Sequence, residues 1–485
     1  MQSYEQKFAK ARILYKFVWM ANYTLNNDTI AALATPHGAG AIAVIRLSGP
    51  KAIAITESVF KTKSLKPKAL SGKASHTAHF GLIVEKDVIV DEVLVTIFKA
   101  PNTYTGEEIV EISCHGSVFI QQQLLQVLFK HGARPAQPGE YTLRAFLNGK
   151  LDLSQAEAVA DLIASNSATS HQVAMQHMRG GFSSKIAVLR ENLLNFASLI
   201  ELELDFSEED VEFADRTDLK KLINTILSII EKLIGSFEVG NVIKNGIPVA
   251  IVGKPNAGKS TLLNVLLDDD RAIVSEIPGT TRDTIEDEMI IEGVLFRFID
   301  TAGIRTTTDV IEQIGVNKAF EVIKKSAIII YLFDTHELSR GDLQLEMDVI
   351  KDHIGTSQLL VVGNKIDFEN LEELKQEFAD VPAIQFISAK EHKNIDVLKA
   401  KLVSLFDTRT VNTTDTIVTN SRHVSSLNNA QQALIKVNEG LSTNIQSDFL
   451  ALDIRYALEA LGEITGQVTN DDLLGNIFSK FCIGK

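Results

Sequence analysis

The residues most able to do chemistry fall between positions 253 and 390, as four short motifs in order. The first is Gly253-Lys254-Pro255-Asn256-Ala257-Gly258-Lys259-Ser260-Thr261, preceded by the apolar run Val249–Val252 and followed by Leu262, Leu263, Val265 and Leu266. Strand, glycine loop and helix in that order make a phosphate cradle. Glycines admit phosphate oxygens to backbone N–H groups, Lys259 reaches the outer phosphates, and the Ser260 hydroxyl can ligate Mg²⁺. The second motif, Asp300-Thr301-Ala302-Gly303, ends the run Val294–Ile299, offering a carboxylate to the Mg²⁺ shell and the Gly303 N–H to a γ-phosphate. The third, Gly363-Asn364-Lys365-Ile366-Asp367, follows Leu359–Val362. An aspartate there can accept from the ring N–H and the exocyclic amine of guanine, whereas adenine would leave it unpaired. The fourth, Ser388-Ala389-Lys390, follows Ala383–Ile387 and is the usual partner loop for the same base. All four stand at the C-terminal ends of strands, where open α/β sheets bind ligands, and together they imply GTP.

The elements that must position these loops belong to a chain long enough for roughly three domains. Its 485 residues, 45% hydrophobic and 23% charged, have an ordinary globular balance, and no 18-residue apolar run is present to cross a membrane. Cys114 and Cys482 lie far apart without metal-site neighbours, which suits a reducing cytoplasm. A net charge of −14 gives no general pull toward nucleic acid, so any RNA contact must come from a local patch or a partner. Residues 1–27 alternate Lys7, Lys10, Arg12 and Lys16 with apolar residues and read as a disordered N-terminal extension, with Met20 as an alternative start.

From Asp28 the pattern turns to short strands: Thr29–Ala34, Ala41–Leu47, Gly81–Val84, Val88–Val90, Glu92–Phe98 and Ile109–Ser113, then a helix over Val118–Phe129. This predicts an α+β domain over 28–149. A helical domain follows over 150–244, with Ser154 and Glu157 read as a capping box and Ile186, Leu189, Leu193, Phe196 and Ile200 on one helix face. Leu219, Leu222, Ile226, Ile229, Ile230 and Leu233 mark a second helix, and the acidic Glu208-Glu209-Asp210 between them reads as a solvated loop. The nucleotide domain occupies 245–407. Helical pattern returns at 421–440 and 448–461, so residues 408–485 are expected to complete a bundle into which the nucleotide domain is inserted.

With these residues in view, the chain resembles the MnmE (TrmE) family of tRNA-modification GTPases. The resemblance rests on Asp28-Thr29-Ile30-Ala31-Ala32-Leu33-Ala34-Thr35-Pro36, the run Gly279-Thr280-Thr281-Arg282-Asp283, the inserted nucleotide domain and the terminal Cys482-Ile483-Gly484-Lys485, and it covers about 28–485. It implies a multidomain protein: an α+β folate-binding domain that also dimerises, a helical bundle, and an α/β Ras-like P-loop GTPase. It further implies a homodimer that joins an FAD-containing partner, MnmG (GidA), in a heterotetramer. That assembly would place an aminomethyl or carboxymethylaminomethyl group on C5 of the tRNA wobble uridine, the carbon coming from a 5,10-methylene or formyl tetrahydrofolate. The tRNA would be held largely through the partner, in the cytoplasm. By matching positions, Arg46, Glu111, Lys150 and Lys485 would contact the folate, with Arg and Lys on its glutamyl carboxylates and Glu on the pterin N–H edge.

The resemblance also completes the hydrolytic site. Ras-like proteins carry a water-orienting glutamine just after Asp-x-x-Gly, and here that position is Ile304. Glu312 matches the family's candidate for positioning the water. Asn256 matches its potassium ligand, with backbone carbonyls supplied from the loop Ser275-Glu276-Ile277-Pro278-Gly279-Thr280, chiefly Ser275, Ile277 and Thr280. A K⁺ ion there would stand in for an arginine finger, and Arg282 and Arg305 are the alternatives. Thr281 would be the switch threonine on Mg²⁺, alongside Ser260 and, through water, Asp300. Cys482, flanked by the apolar anchors Phe481 and Ile483, would hold a thiol near a folate-held one-carbon unit and serve the modification chemistry. The competing class is a ribosome-assembly GTPase of the Era or Der kind, which shares the nucleotide motifs but needs neither a folate domain nor a terminal cysteine.

Overall fold

The computed structural model describes residues 28–205, 216–268, 287–299, 323–351, 353–355, 357–367, 371–381, 383–405, 416–443, 445, 447–469 and 471–484. The expected N-terminal extension and the acidic loop at 208–210 lie outside the described residues. The described chain divides into two compact units. One comprises Met1–Ala160, His177–Leu222 and Gln432–Lys485, the other Asp161–Gln176 and Ile223–Gln431. No described helix is long and apolar enough to cross a membrane.

The first unit is built on a seven-stranded sheet. Its strands are β1 (Thr29–Leu33), β2 (Ile42–Ser48), β3 (Phe60–Lys61), β4 (Thr77–Glu85), β5 (Val88–Phe98), β6 (Ile109–His115) and β7 (Ala133–Pro135), in the order β3-β4-β5-β6-β2-β1-β7. Every neighbouring pair is antiparallel except β1 with β7. Side chains alternate across a strand, so Ala43, Ile45 and Leu47 face one way, packed with Val110 and Ile112 and with Ile53, Leu124, Val127 and Leu128 from helices Ala52–Val59 and Val118–Lys130. The same alternation turns Arg46 and Glu111 to the opposite face, where helix Glu140–Leu147 lays Tyr141 against Ile30 and Ala32. Each fully buried aliphatic or aromatic side chain contributes roughly 1.5–3 kcal/mol to holding these layers together.

A chain of charges fastens that helix. Arg144 donates to Asp28 at 2.7 Å and to Glu140 at 2.9 Å, and Arg134 donates to the same two carboxylates at 2.6 Å each. Burial alone would raise the pKa of Glu140, yet hydrogen bonds from Arg134 and the Gln137 N–H, with the field of both arginines, hold it below the usual carboxylate range. In the same unit helix Gly181–Asp205 packs on Ser447–Thr465, burying Ile186, Leu189, Leu193 and Ile200 as their spacing predicts. Arg190 Nε ties the pair by donating to the Leu458 carbonyl at 3.1 Å.

Several expectations are corrected here. The capping box of helix Leu153–Ala164 is Asp152 with Gln155: the Gln155 N–H donates to Asp152 at 2.9 Å, and the Asp152 N–H to Gln155 at 3.0 Å. Ser154 and Glu157 are instead buried inside the helix. The two strands expected over 88–98 are one strand, because Asp91 keeps its place in the ladder opposite Ile83. Helices Glu140–Leu147 and Asp471–Phe478 are additions to the expected set, both being short and interrupted by polar residues.

The second unit carries β8 (Ile247–Val252), β9 (Asp287–Ile291), β10 (Val294–Phe298), β11 (Ile328–Asp334), β12 (Gln358–Asn364) and β13 (Gln385–Phe386), in the order β13-β12-β11-β8-β10-β9. All pairs are parallel except the β9–β10 hairpin. Parallel strands are covered on both faces, and β11 accordingly is buried throughout. Ile328, Ile330 and Leu332 meet helices Lys259–Asp268 and Ile395–Leu405, while Tyr331 and Phe333 meet Arg340–Lys351 and Leu371–Glu377. The strand expected over 383–387 shrinks to two residues, because Ala383 takes a left-handed φ of 57° that breaks the extended run.

Candidate functional site

In the second unit the turn after β8 opens with Gly253 at φ 149° and closes with Gly258 at φ 96°, conformations that favour glycine. Both are also needed for space. A Cβ on Gly253 would stand 2.0 Å from the Leu332 carbonyl oxygen, and one on Gly258 would stand 2.2 Å from Asn364 Nδ2. The loop therefore nests directly on β11 and on the Gly363–Asp367 segment. Between the glycines, Asn256 takes a left-handed φ of 64°, which asparagine tolerates. Ala257 is buried in the sheet core, so Gly258, Lys259, Ser260 and Thr261 start the helix at the loop's mouth with their N–H groups turned outward. Lys259 Nζ lies within the turn, donating to the carbonyls of Gly253 at 2.8 Å and Lys254 at 2.7 Å. Burial pushes its pKa below lysine's usual value. A phosphate oxygen arriving there would exchange two neutral acceptors for a charged one, which the ammonium binds more strongly.

Asn364 holds the site together. Its Nδ2 donates to the Ala257 carbonyl at 2.8 Å and its Oδ1 accepts from the Ala389 N–H at 3.0 Å, so one buried amide joins the phosphate turn to the loop after β13. Lys365, at φ 73°, pairs with the buried Asp334 at 2.6 Å. Asp334 escapes sequence reasoning because it ends an apolar strand without a recognisable motif. Asp367 accepts from the Ser388 hydroxyl, which in turn accepts from the Glu391 N–H at 3.0 Å. Lys390 follows in the same turn, which the Ser388–Lys393 bridge closes. The structure thus brings the first, third and fourth motifs to one edge of the sheet. Asp300, Thr301, Ala302, Gly303 and Glu312, and the loop Ser275, Glu276, Ile277, Pro278, Gly279, Thr280 and Thr281, lie outside the described residues. Among the described residues, no cluster of His, Cys, Asp and Glu is arranged to hold a metal. Ser260 and Asn256 are the hard oxygen donors of the nucleotide loop, a chemistry that fits Mg²⁺ and K⁺.

The first unit holds a second constellation. Arg46 and Glu111 are register partners on β2 and β6, and Arg46 Nε and Nη2 donate to Glu111 Oε1 at 2.9 and 2.8 Å. The guanidinium lies 5.8 Å from the ring centroids of both Tyr104 and Tyr141, and Tyr141 Oη donates to the Arg46 carbonyl at 2.6 Å. Neither tyrosine is legible in the sequence, since nothing in the spacing of 46, 104 and 141 relates them. Lys150 is exposed, with its stem beside Gly106, where a Cβ would come within 3.1 Å of Lys150 Cε. An arginine–carboxylate pair flanked by aromatic rings fits a flat heterocycle with N–H donors and carboxylate substituents, as a folate has.

The tail docks on the same unit. Gly484, at φ 100°, lies so close to β1 that a Cβ would meet the Leu33 carbonyl oxygen at 2.1 Å. The Cys482 carbonyl accepts from the Gly139 N–H at 3.4 Å, just before the helix that carries Tyr141, and the cysteine itself is exposed. Of its two expected anchors only Phe481 packs, on the cluster with Leu143 and Phe478. Ile483 is 50% exposed, because the bridge from Pro138 to Ile483 holds it by backbone rather than by burial. Cys114, by contrast, is buried, and burial with the nearby Asp91 pushes its thiol up to about 11. Lys485 lies outside the described residues.

Residues 153–482 match the family model of the MnmE helical domain, and 29–150 match that of the GTP-binding protein TrmE N-terminus. The chain is 58% identical over 461 residues to the tRNA modification GTPase MnmE of Flavobacterium psychrophilum, covering 95% of this chain and 99% of the relative. It is 58% identical over 467 residues to that of Flavobacterium johnsoniae, covering 95% and 100%. To that of Bacteroides fragilis (strain ATCC 25285) it is 53% identical over 469 residues, again covering 95% and 100%.

Proposed function

Because the chain belongs to the MnmE family of tRNA modification GTPases, and so is a GTP hydrolase acting in tRNA modification, we propose the following fuller reading of its chemistry. It is a potassium-activated GTPase. As a homodimer assembled with an FAD-containing MnmG partner, it uses a tetrahydrofolate one-carbon unit to install the aminomethyl or carboxymethylaminomethyl group on the wobble uridine. The observation that carries this reading is the make-up of the first unit, in which an Arg46–Glu111 pair between two tyrosines shares a domain with an exposed cysteine, Cys482, whose backbone carbonyl accepts from the Gly139 N–H. A GTPase serving only as an assembly switch has no use for that arrangement, and the family match spans it as well as the nucleotide unit.

In this mechanism Lys259 and the N–H groups of Gly258 through Thr261 bind the phosphates, while Asp367 and the Ser388–Lys390 turn select guanine. Ser260 and Thr281, with Asp300 through water, would hold Mg²⁺, and Asn256 with the carbonyls of Ser275, Ile277 and Thr280 would hold K⁺. Bound there, the two cations offset charge that develops on the phosphate oxygens. Glu312 would orient the attacking water in place of the glutamine that Ile304 replaces. On the other unit Arg46, Glu111, Lys150 and Lys485 would orient the folate, with the Cys482 thiol available to the modification chemistry.

Mass spectrometry of tRNA nucleosides tests the reading. Cells lacking this protein should lose the C5 substituent on wobble uridine, and a normal nucleoside profile would sink it. Hydrolysis should also run about tenfold or more faster in K⁺ than in Na⁺ at equal ionic strength, the effect of ~1.4 kcal/mol of transition-state stabilisation. The smaller ion fits a carbonyl cage sized for K⁺ poorly. Equal rates in the two salts would remove Asn256 from the metal site.

A further inference from the structure

The chain carries 62 acidic against 48 basic residues, yet no Asp or Glu occurs between Glu57 and Glu85, a stretch holding Lys61, Lys63, Lys66, Lys68 and Lys73. The fold brings these lysines to one edge of the first unit's sheet and adds Lys99, whose Nζ donates to the Ser71 carbonyl at 2.7 Å. Two of the nearby acids are already engaged, while Glu92, exposed opposite Leu82, pairs with none of these lysines. Glu57 accepts the backbone N–H groups of Leu70 and Ser71, the latter at 2.6 Å, and Asp87 sits 3.7 Å from Lys61. Among the described residues no carboxylate pairs with Lys63, Lys66, Lys68, Lys73 or Lys99.

The lysines stand on an ordered turn. The Thr62 N–H donates to the Lys66 carbonyl and the Leu65 N–H to the Thr62 carbonyl, each at 2.8 Å, and Lys68 Nζ donates to the Phe80 carbonyl at 2.6 Å. Lys63 Nζ lies 4.9 Å from the ring of Phe80, itself 46% exposed, so an aromatic face is set among the cations. After burial, the charges of Lys68 and Lys73 hold the His79 imidazole below its ordinary range, so both ammonium groups bear on that one side chain of β4. Lysines also keep an open edge strand from pairing with another chain, but the outer side of β3 is already taken by Pro67, which bridges Lys61. Lys63 and Lys73 lie beyond the strand and outside this pairing.

We infer that this lysine-rich edge, Lys63, Lys66, Lys68, Lys73 and Lys99 with the Phe80 ring beside Lys63, docks the sugar–phosphate backbone of the tRNA that the enzyme acts on. The inference rests on the reading that tRNA is the substrate. A polyanion is the partner such a face fits, and on a chain of net charge −14 a concentrated patch is what gives RNA a favourable approach. The lysines supply affinity without reading sequence, since phosphate contacts position a nucleic acid while base contacts specify it.

The test is equilibrium binding of fluorophore-labelled tRNA to the full chain over a range of KCl concentrations, with wild type compared to K63E/K66E/K73E. All three positions are exposed and belong to the first unit, outside the nucleotide-binding motifs, so the variant should keep its rate of GTP hydrolysis without tRNA. Its tRNA Kd should rise about tenfold or more. The slope of log K against log[salt] should shrink by about 2–3, at roughly 0.7–0.9 for each lost phosphate contact. K63Q/K66Q/K73Q should shift both quantities the same way by less. Absent tRNA binding by the wild type, or an unchanged Kd and slope in the variant, would overturn the inference. So would a variant that loses binding to phosphatidylglycerol vesicles while keeping tRNA. In cells, deletion that abolishes the wobble modification while the triple variant sustains it fully would refute this surface alone. Deletion that leaves the modification intact would instead refute the reading beneath it.

Discussion

Asp367→Asn is expected to weaken GTP binding by about 10²–10⁴-fold and to turn the base pocket toward xanthine. A carboxylate facing the two N–H donors of guanine makes two charge-assisted hydrogen bonds, each worth roughly 1.5–3 kcal/mol. The amide keeps one acceptor and sets a donor against a donor, whereas xanthine offers an oxygen at that position. The surroundings should survive the change. The Ser388 hydroxyl still has the Glu391 N–H as a donor and can bond to either polar atom of the new amide, and Asn364 clamps the two loops independently at Ala257 and Ala389. Competition of GDP and xanthosine diphosphate against a fluorescent nucleotide measures the switch. If xanthine does not gain on guanine, Asp367 does not face the base.

Cys482→Ser should separate the two activities. Modification of the wobble uridine, assayed with partner, folate and tRNA supplied, should fall by about 10²-fold or more, the usual weight of one positioned reacting group. GTP hydrolysis should be retained. Serine is nearly isosteric, but its hydroxyl is a far weaker nucleophile than a thiol. The tail should stay docked, because Cys482 is held through its backbone carbonyl by Gly139, and its neighbours Phe481 and Gly484 make the close contacts. Normal modification by this variant would leave the tail as a docking element with no chemical part.

The nucleotide-binding motifs are the most legible part of the chain, because the described ones sit at the ends of apolar strands, where periodicity and glycine punctuation are strongest. Gly253, Gly258, Lys259, Asn364, Asp367 and Ser388 all come to one sheet edge, as their order along the chain implies. The first unit is legible in its strands but not in its polar contacts. Tyr141 meets Arg46, and Arg144 meets Asp28, across 95 and 116 positions, distances over which no local pattern carries information. The helix cap misleads for a different reason. Ser154 with Glu157 and Asp152 with Gln155 have the same three-residue spacing, and only the path of the preceding turn decides which pair begins the helix. Ile483 looks like an anchor by residue type alone, although the tail is fixed there through its backbone.

The close approach of Gly484 to Leu33 has a consequence for how the protein is made. Translation releases β1 first and the docking tail about 450 residues later, which at roughly 5–20 residues per second is a wait of ~20–90 s. Through that interval Asp161–Gln176 and Ile223–Gln431 emerge entire, so the nucleotide unit can complete itself on the ribosome. The first unit cannot, since helix Ser447–Thr465, which covers Ile186, Leu189 and Leu193, is still unmade. Nascent chains stalled before residue 432 would therefore present a finished nucleotide unit beside an apolar helix face open to chaperones. The synthesis of helix Ser447–Thr465, rather than the birth of β1, sets when the first unit can close.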